Sequence, residues 1–411
     1  MVKGEKLRYH RIQRGLTQKK LAEGICDLTY VSKIENNKIE APEQTLVDFC
    51  QRLNITLKEL TEDIDEGYKR LLNEWYAQIK HKDENAATSK FTQLRVEFET
   101  VDDPFLLSHY HLFRLYYFLQ IKDRKQCEDT LNNIKNLQNY ITSEIEFDYY
   151  FILGLYEYQY GSLNKSKAYY TKAEKTAEMQ KIEDPEFLYY MSLTLSRLQD
   201  VTHSTLYAFK ALELYNQAMN FERCTDCHLL LGINFNHVKN YKTAEEYFQK
   251  VLNAADYNRK AKIIKGKTYH NLGNIYAKQG ESKKSIEYLL KALTFKTEPG
   301  QKLNTLYLLT KEHYLTGDEG DAKEWLFKGL NHAEESSDQD YQIKFNLLKL
   351  QWLESKNSDL YRSKLEDAIS FYKERDPDFA HECTELLAES YARSHFYKQA
   401  FEYLQSAKYI K

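Results

Sequence analysis

Near the start of the chain, apolar residues fall three and four apart in short, capped blocks. Lys6 to Arg14 reads as a first helix that Gly15 ends. Thr17 is placed to cap a second helix running through Leu21 and Ala22, and Asp27 to cap a third. In that third helix Val31 and Ile34 share one face, which leaves Thr29, Tyr30 and Lys33 on the opposite one. Leu46, Phe49, Cys50 and Leu53 line a covering fourth helix, and Ile55 to Leu60 closes the unit. Two short helices about a tight turn, the second with its outer face free, form a shape that fits the DNA major groove. A further amphipathic stretch with Trp75 and Tyr76 runs from about Asp63 to Gln78.

Beyond it the pattern repeats. Small or slim residues recur at Gly154, Ser192, Gly232, Gly273, Thr310 and Ala388, with Lys349 as a poor match, at intervals of 37 to 41 residues. Twelve positions after most of them stands another small residue: Ser166, Ser204, Ala244, Ser285, Ala322 and Ala400. Sixteen after come mostly bulky residues such as Tyr170, Phe248, Leu289, Leu326 and Leu365, and nineteen after come Ala173, Ala211, Val251, Ala292, Gly329, Ala368 and Ala407. This is the spacing of tetratricopeptide hairpins with lengthened turns. Small residues let two helices cross closely, and large ones fill the gap to the next pair. One hairpin cannot bury its apolar face alone, so the repeats are expected to stack around a concave inner surface. Seven hairpins are predicted, with a weaker eighth around Leu112 to Leu131. The expected fold is all-α: a helix-turn-helix domain at 1–62, a linker at 63–67, and a right-handed tetratricopeptide-repeat superhelix at 68–411.

Composition agrees. Over 411 residues there are only 14 glycines and 5 prolines, few helix breakers for such a length. The net charge of -3 hides an asymmetry. Through residue 38 there are nine Lys/Arg against four Asp/Glu, a local +5 that leaves -8 for the rest. A basic head on an acidic body suits a head that meets phosphates. No apolar run reaches transmembrane length and no leader follows the first basic residues, so a cytoplasmic protein is expected. Six scattered cysteines do not form a secreted disulfide framework, and free thiols are expected.

Leu16-Thr17-Gln18 to Leu21-Ala22 and Ser32-Lys33-Ile34-Glu35-Asn36 resemble the helix-turn-helix of the Xre/Cro family. From about residue 68 the chain resembles the Rap family, on Asn73-Glu74-Trp75-Tyr76, on Tyr150-Phe151, Gly154 and Tyr156-Glu157, and on Cys227-His228. In that order the two halves look most like NprR-type members of the RRNPP quorum-sensing group. The resemblance implies a cytoplasmic transcription factor that binds a short imported signalling peptide in its repeats, with peptide changing oligomeric state and DNA binding. Two positions depart. His10 replaces an aliphatic or aromatic core residue, and Asp103 stands where Rap phosphatases carry a glutamine. No catalytic residue is therefore carried over, and the chain is not expected to be an enzyme.

Candidate DNA contacts are Thr29, Tyr30 and Lys33, with Leu28 against a thymine methyl and Arg11, Gln18 and Lys19 at phosphates. One domain makes few contacts, so a homodimer on a palindromic operator is expected, or a tetramer with peptide. For the peptide, side-chain amides suit a backbone that needs both donors and acceptors. Asn234, Asn271 and Asn274 are the candidate clamps. Arg197, His237, Tyr307 and Lys311 are candidates for a carboxylate or acidic side chain. Each of these has a plainer reading as a solvated or packed helical residue.

Cys224-Thr225-Asp226-Cys227-His228 spells a haem-attachment motif, but it falls within a well-registered repeat helix and reads as packing. No cofactor is called for, and no Cys/His set has zinc spacing. Two other readings stay open: a Rap-like protein that binds or dephosphorylates a response regulator, and a scaffold that only holds protein partners.

Overall fold

A computed structural model describes residues 4–61, 66–257, 260–355 and 357–407 of the chain. Among the described residues every regular element is helical. The head contains α1 (Gly4–Gln13), α2 (Gln18–Ala22), α3 (Leu28–Glu35), α4 (Glu43–Leu53) and α5 (Leu57–Thr61). Leu7, Leu21, Val31, Ile34, Phe49, Leu53 and Leu60 form its core, each nearly or wholly removed from water. Such burial stabilises by roughly 1.5–3 kcal/mol per large side chain before chain entropy is counted. The expected punctuation holds at Gly15 and Thr17. Gly15 takes φ +65°, and Thr17 accepts a hydrogen bond from the Lys20 amide at 3.2 Å. Asp27 precedes α3 without a side-chain cap bond. Arg52 on α4 donates to the carbonyls of Lys20, Leu21 and Glu23, satisfying the open end of α2.

The chain divides into two compact units, 1–207 and 208–411. The first holds the head together with α6 (Glu66–Lys80), α7 (Glu84–Glu97), α8 (Pro104–Ile121), α9 (Arg124–Leu137), α10 (Glu146–Tyr160), α11 (Leu163–Gln180), α12 (Pro185–Arg197) and the first turns of α13 (Val201–Gln217). Contacts thus group the head with the first hairpins. Of the expected linker 63–67, positions 63–65 lie outside the described residues and Glu66 already opens α6. The weak eighth hairpin is real: α8 packs on α9.

Within this unit the repeat spacing has a direct cause. A Cβ on Gly154 would stand 2.4 Å from the Tyr170 ring, and Ser166 Oγ donates to the Gly154 carbonyl at 2.9 Å. Ser192 and Ser204, also twelve apart, each donate to the other's carbonyl, at 2.7 and 2.8 Å. Small residues here are both spacers and inter-helix hydrogen-bond donors.

The second unit continues with α14 (Phe221–His237), α15 (Tyr241–Ala255), α16 (Ala261–Lys278), α17 (Ser282–Phe295), α18 (Pro299–Leu315), α19 (Glu319–Glu335), α20 (Gln339–Lys349), α21 (Asp359–Tyr372), α22 (Pro377–Arg393) and α23 (Tyr397–Ala407). Gly232 lies against Phe248 and Gly273 against Leu289 just as Gly154 lies against Tyr170. At the poor match, Lys349, regular helix stops and a π-helical stretch follows at Leu350–Ser355. The haem-like motif is simply part of α14. Cys227 is wholly buried and burial pushes its thiol up, so it is no ready thiolate.

Candidate DNA face and peptide surface

The recognition helix is set by a buried polar knot. Glu35, at the end of α3, is 3% exposed. It accepts from Arg11 Nε at 2.5 Å and Nη2 at 3.0 Å, and from the Gln18 amide at 2.7 Å. Arg11 also donates to the Leu16 carbonyl at 2.8 Å. One side chain from each of α1, α2 and α3 therefore meets at one point. This corrects the expectation for Arg11. It lies buried with its guanidinium committed to Glu35 and Leu16, so it holds the helices rather than a phosphate. Gln18 is half-buried and commits its amide nitrogen to Glu35 as well. Lys19, Leu28, Thr29 and Lys33 are exposed, while Tyr30 is half-buried against the head core. The face left to a duplex is thus Leu28, Thr29, Lys33 and Lys19 with part of Tyr30.

The opposite side of the head is docked. Lys6 on α1 reaches Asp103 at 2.5 Å, with side-chain exposures of 4% and 16%. Asp103 also caps α8, accepting from the amides of Phe105 and Leu106. His10, wholly buried, faces Asp102 at 3.3 Å and holds that carboxyl below the usual carboxylate range. Tyr9 packs edge-on against Tyr140 with centroids 5.6 Å apart, within a cluster that includes Leu137, Phe105 and Leu107. His10 and Asp103, the two departures noted in the sequence, are both junction residues.

From this junction polar contacts run deeper into the unit. Tyr76 on α6 bonds Asp148 on α10, Lys80 meets Asp184 before α12 at 2.6 Å, and Tyr116 on α8 bonds Glu186 on α12 at 2.5 Å. Arg197, at the end of α12, is exposed and lies over the Tyr158 ring at 5.2 Å.

In the second unit, the first helices of successive hairpins, α14, α16, α18 and α20, pack side by side. Lys311 on α18 reaches past α20 to Glu382 on α22 at 2.8 Å. His237 on α14 and Lys278 on α16 both feel the Asp378 charge of α22, although burial pulls both of their pKa values down. Asn271 and Asn274 are half-exposed on α16. Tyr307 and Lys311 line a cavity of about 180 Å³ with Tyr314, Trp352, Phe379 and Glu382. Tyr314 and Trp352 stack there at 4.1 Å. Asn234 is the correction in this set. It is wholly buried, so it is not open to a peptide as the helices stand here. Lys311 carries its own carboxylate partner, which a guest carboxylate would have to replace.

Comparison with known proteins fits both halves. A helix-turn-helix family profile matches residues 7–60 and a tetratricopeptide-repeat profile matches 224–298. Over 404 residues the chain is 26% identical to the transcriptional activator NprA of Geobacillus stearothermophilus, covering 95% of this chain and 99% of that one. It is 28% identical over 285 residues to response regulator aspartate phosphatase A of Bacillus subtilis (strain 168), covering 65% and 75% of the two chains. Among solved structures, the apo quorum sensor NprR of B. thuringiensis superposes with a TM-score of 0.75 at 20% identity, over 85% of this chain and 99% of that one. NprR in complex with its cognate peptide NprX gives 0.69 at 20% identity, over 84% and 98%. At such identity the structural likeness establishes the fold.

Proposed function

We propose that the chain is a cytoplasmic, peptide-responsive transcriptional regulator of the RRNPP group, a reading supported by its helix-turn-helix head before tetratricopeptide hairpins and by its similarity to the transcriptional activator NprA. The observation that carries this reading is the two-sidedness of the head. It turns Thr29 and Lys33 of α3 to solvent and is pinned through Lys6, Tyr9 and His10 of α1 to the helical body. A DNA-reading face on a head whose stance the body sets is what a ligand-controlled regulator requires.

In this reading the dimeric protein reads an operator through Lys19, Leu28, Thr29, Tyr30 and Lys33. The peptide lies on the inner surface of the second unit. Asn271 and Asn274 bind its backbone, one of its side chains enters the cavity of Tyr307, Tyr314, Trp352 and Phe379, and Lys311 and His237 receive its acidic groups. Arg197 stays a candidate contact in the first unit. The peptide can shift the head only as far as it binds one arrangement more tightly than another. Within the first unit, the Tyr76–Asp148, Lys80–Asp184 and Tyr116–Glu186 contacts join the docked helices to α10 and α12.

A phosphatase reading is disfavoured by Asp103. Its carboxylate is taken up by the α8 cap and by Lys6, under the head. In this reading the protein is not an enzyme, and a response regulator is a binding partner only.

The test is a mobility-shift titration of the full chain on the DNA upstream of its own gene. Synthetic peptides copied from the carboxyl end of any small open reading frame beside that gene serve as probes. A shift whose midpoint moves with peptide supports the proposal. A midpoint that no peptide moves, at any salt concentration, overturns it.

A further inference from the structure

At the tip of the α18–α19 hairpin, a buried imidazole lacks the partner its chemistry requires. His313 is 8% exposed, and neither ring nitrogen makes a hydrogen bond. Leaving a buried polar atom unpaired is costly, so native proteins rarely keep one without a water, an ion or a function. Nδ1 points at two carboxylates. Asp318 Oδ2 lies at 3.6 Å and Asp321 Oδ2 at 3.7 Å, both beyond hydrogen-bond reach, and the three ligand atoms lie within 4.8 Å of one another.

We infer that His313, Asp318 and Asp321 form a site for a divalent cation of the zinc class. A cation about 2.0–2.2 Å from each donor in tetrahedral geometry sets ligand atoms about 3.4 Å apart. The nitrogen-to-oxygen separations match that to within a few tenths of an ångström. One imidazole with two carboxylates favours zinc-like ions over magnesium or calcium, which prefer all-oxygen shells. Water fills the fourth position.

Local structure prepares the donors. Asp318 caps α19 through Oδ1, which accepts from the Asp321 amide, so its other oxygen is free to turn to the imidazole. Gly317, at φ +79°, makes the tight turn that brings Asp318 back beside His313. Trp325 of α19 lies beside the imidazole, inclined to it by 29° with centroids 6.5 Å apart. Both carboxylates are exposed and can close the remaining gap. A bound cation would join the end of α18, which carries Tyr307 and Lys311, to the start of α19. Spacing alone carries no warning of this cluster, because His-x₄-Asp-x₂-Asp is not a recognised ligand spacing.

Chelator-treated full-length protein is titrated with cobalt(II) alone, following visible absorption and Trp fluorescence, and then with zinc(II) in competition. We expect one cation per chain, a tetrahedral cobalt spectrum, and quenching dominated by Trp325. The Asp318→Asn/Asp321→Asn variant keeps an amide able to cap α19 and should stay folded by circular dichroism. Its affinity should fall by more than the about 10–100-fold typical of outer-shell changes. His313→Gln should lose binding in the same way. Absence of stoichiometric binding by the wild type overturns the site. So does unchanged binding by the folded double variant, which would place the cation elsewhere, for example at the cysteines.

Discussion

In the head, Lys6, His10, Arg11 and Glu35 are charged or titratable and lie in the core or at the junction with the body. In the hairpins, the corresponding close crossings are filled by Gly154, Gly232, Gly273, Ser166, Ser192 and Ser204, which carry no charge. The head's internal order and its stance on the body therefore depend on ion pairs, which depend on hydrogen-bond geometry and, at the half-exposed Asp102, on pH and salt. At these close crossings, shape rather than charge fixes the hairpins. A signal can then re-set the head without loosening the stack, because the two regions answer to different forces.

The largest expected effect comes from Glu35→Ala. It leaves Arg11 and Gln18 without their shared acceptor, and breaking a buried pair from one side costs about 3–5 kcal/mol. Loss of binding to the upstream DNA together with a lower first thermal transition would bear this out. Gly232→Leu forces a side chain onto the Phe248 ring, where even a Cβ would lie 2.5 Å away. Overpacking of this kind costs about 1–3 kcal/mol, sometimes more. The deficit should be the same at low and high salt. A salt-dependent deficit would blur the contrast between the regions.

A third prediction concerns pH. His270 is neutral in the fold: it faces Thr305 at 3.1 Å and the Asn304 amide at 3.3 Å, with Lys296 nearby. Burial, helped by the Lys296 charge, pushes its pKa down to about 3. The unfolded chain takes up the proton first, near pH 6.5. Stability is thus full above that value and falls as the medium is acidified toward about 3. Between pH 6.5 and 5 the loss from His270 alone is about 1.6 kcal/mol. Denaturant midpoints at the two pH values should converge in His270→Gln. The smallest effect belongs to Lys33→Ala. It should weaken DNA binding by about 1 kcal/mol and reduce its salt dependence, with the thermal midpoint unchanged.

Much of this was readable in the chain because helices carry their own periodicity. Thr17, Gly15, Val31 and Ile34 all sit where the spacing put them, and the Gly154–Tyr170 and Ser192–Ser204 contacts explain the repeat at atomic level. Pairing was not readable. Nothing in the spacing says that Arg11 turns inward to Glu35, twenty-four residues away, or that Lys311 meets Glu382 seventy-one residues on. The burial of Asn234 was not readable for a related reason. Register assigns a face only coarsely, and one helical step separates the inner surface from the core. His10 and Asp103 did carry a signal, since both broke a family pattern, but their common meaning needed the head and body side by side.

The most direct measurement is the affinity of the full chain for its upstream DNA by fluorescence anisotropy, with and without peptide, in the wild type and in Lys6→Ala. We expect peptide to change the wild-type affinity by about tenfold or more, equal to about 1.4 kcal/mol of coupling, and to change the Lys6→Ala affinity distinctly less. Equal responses in the two proteins would contradict a head whose stance is set through the Lys6–Asp103 junction.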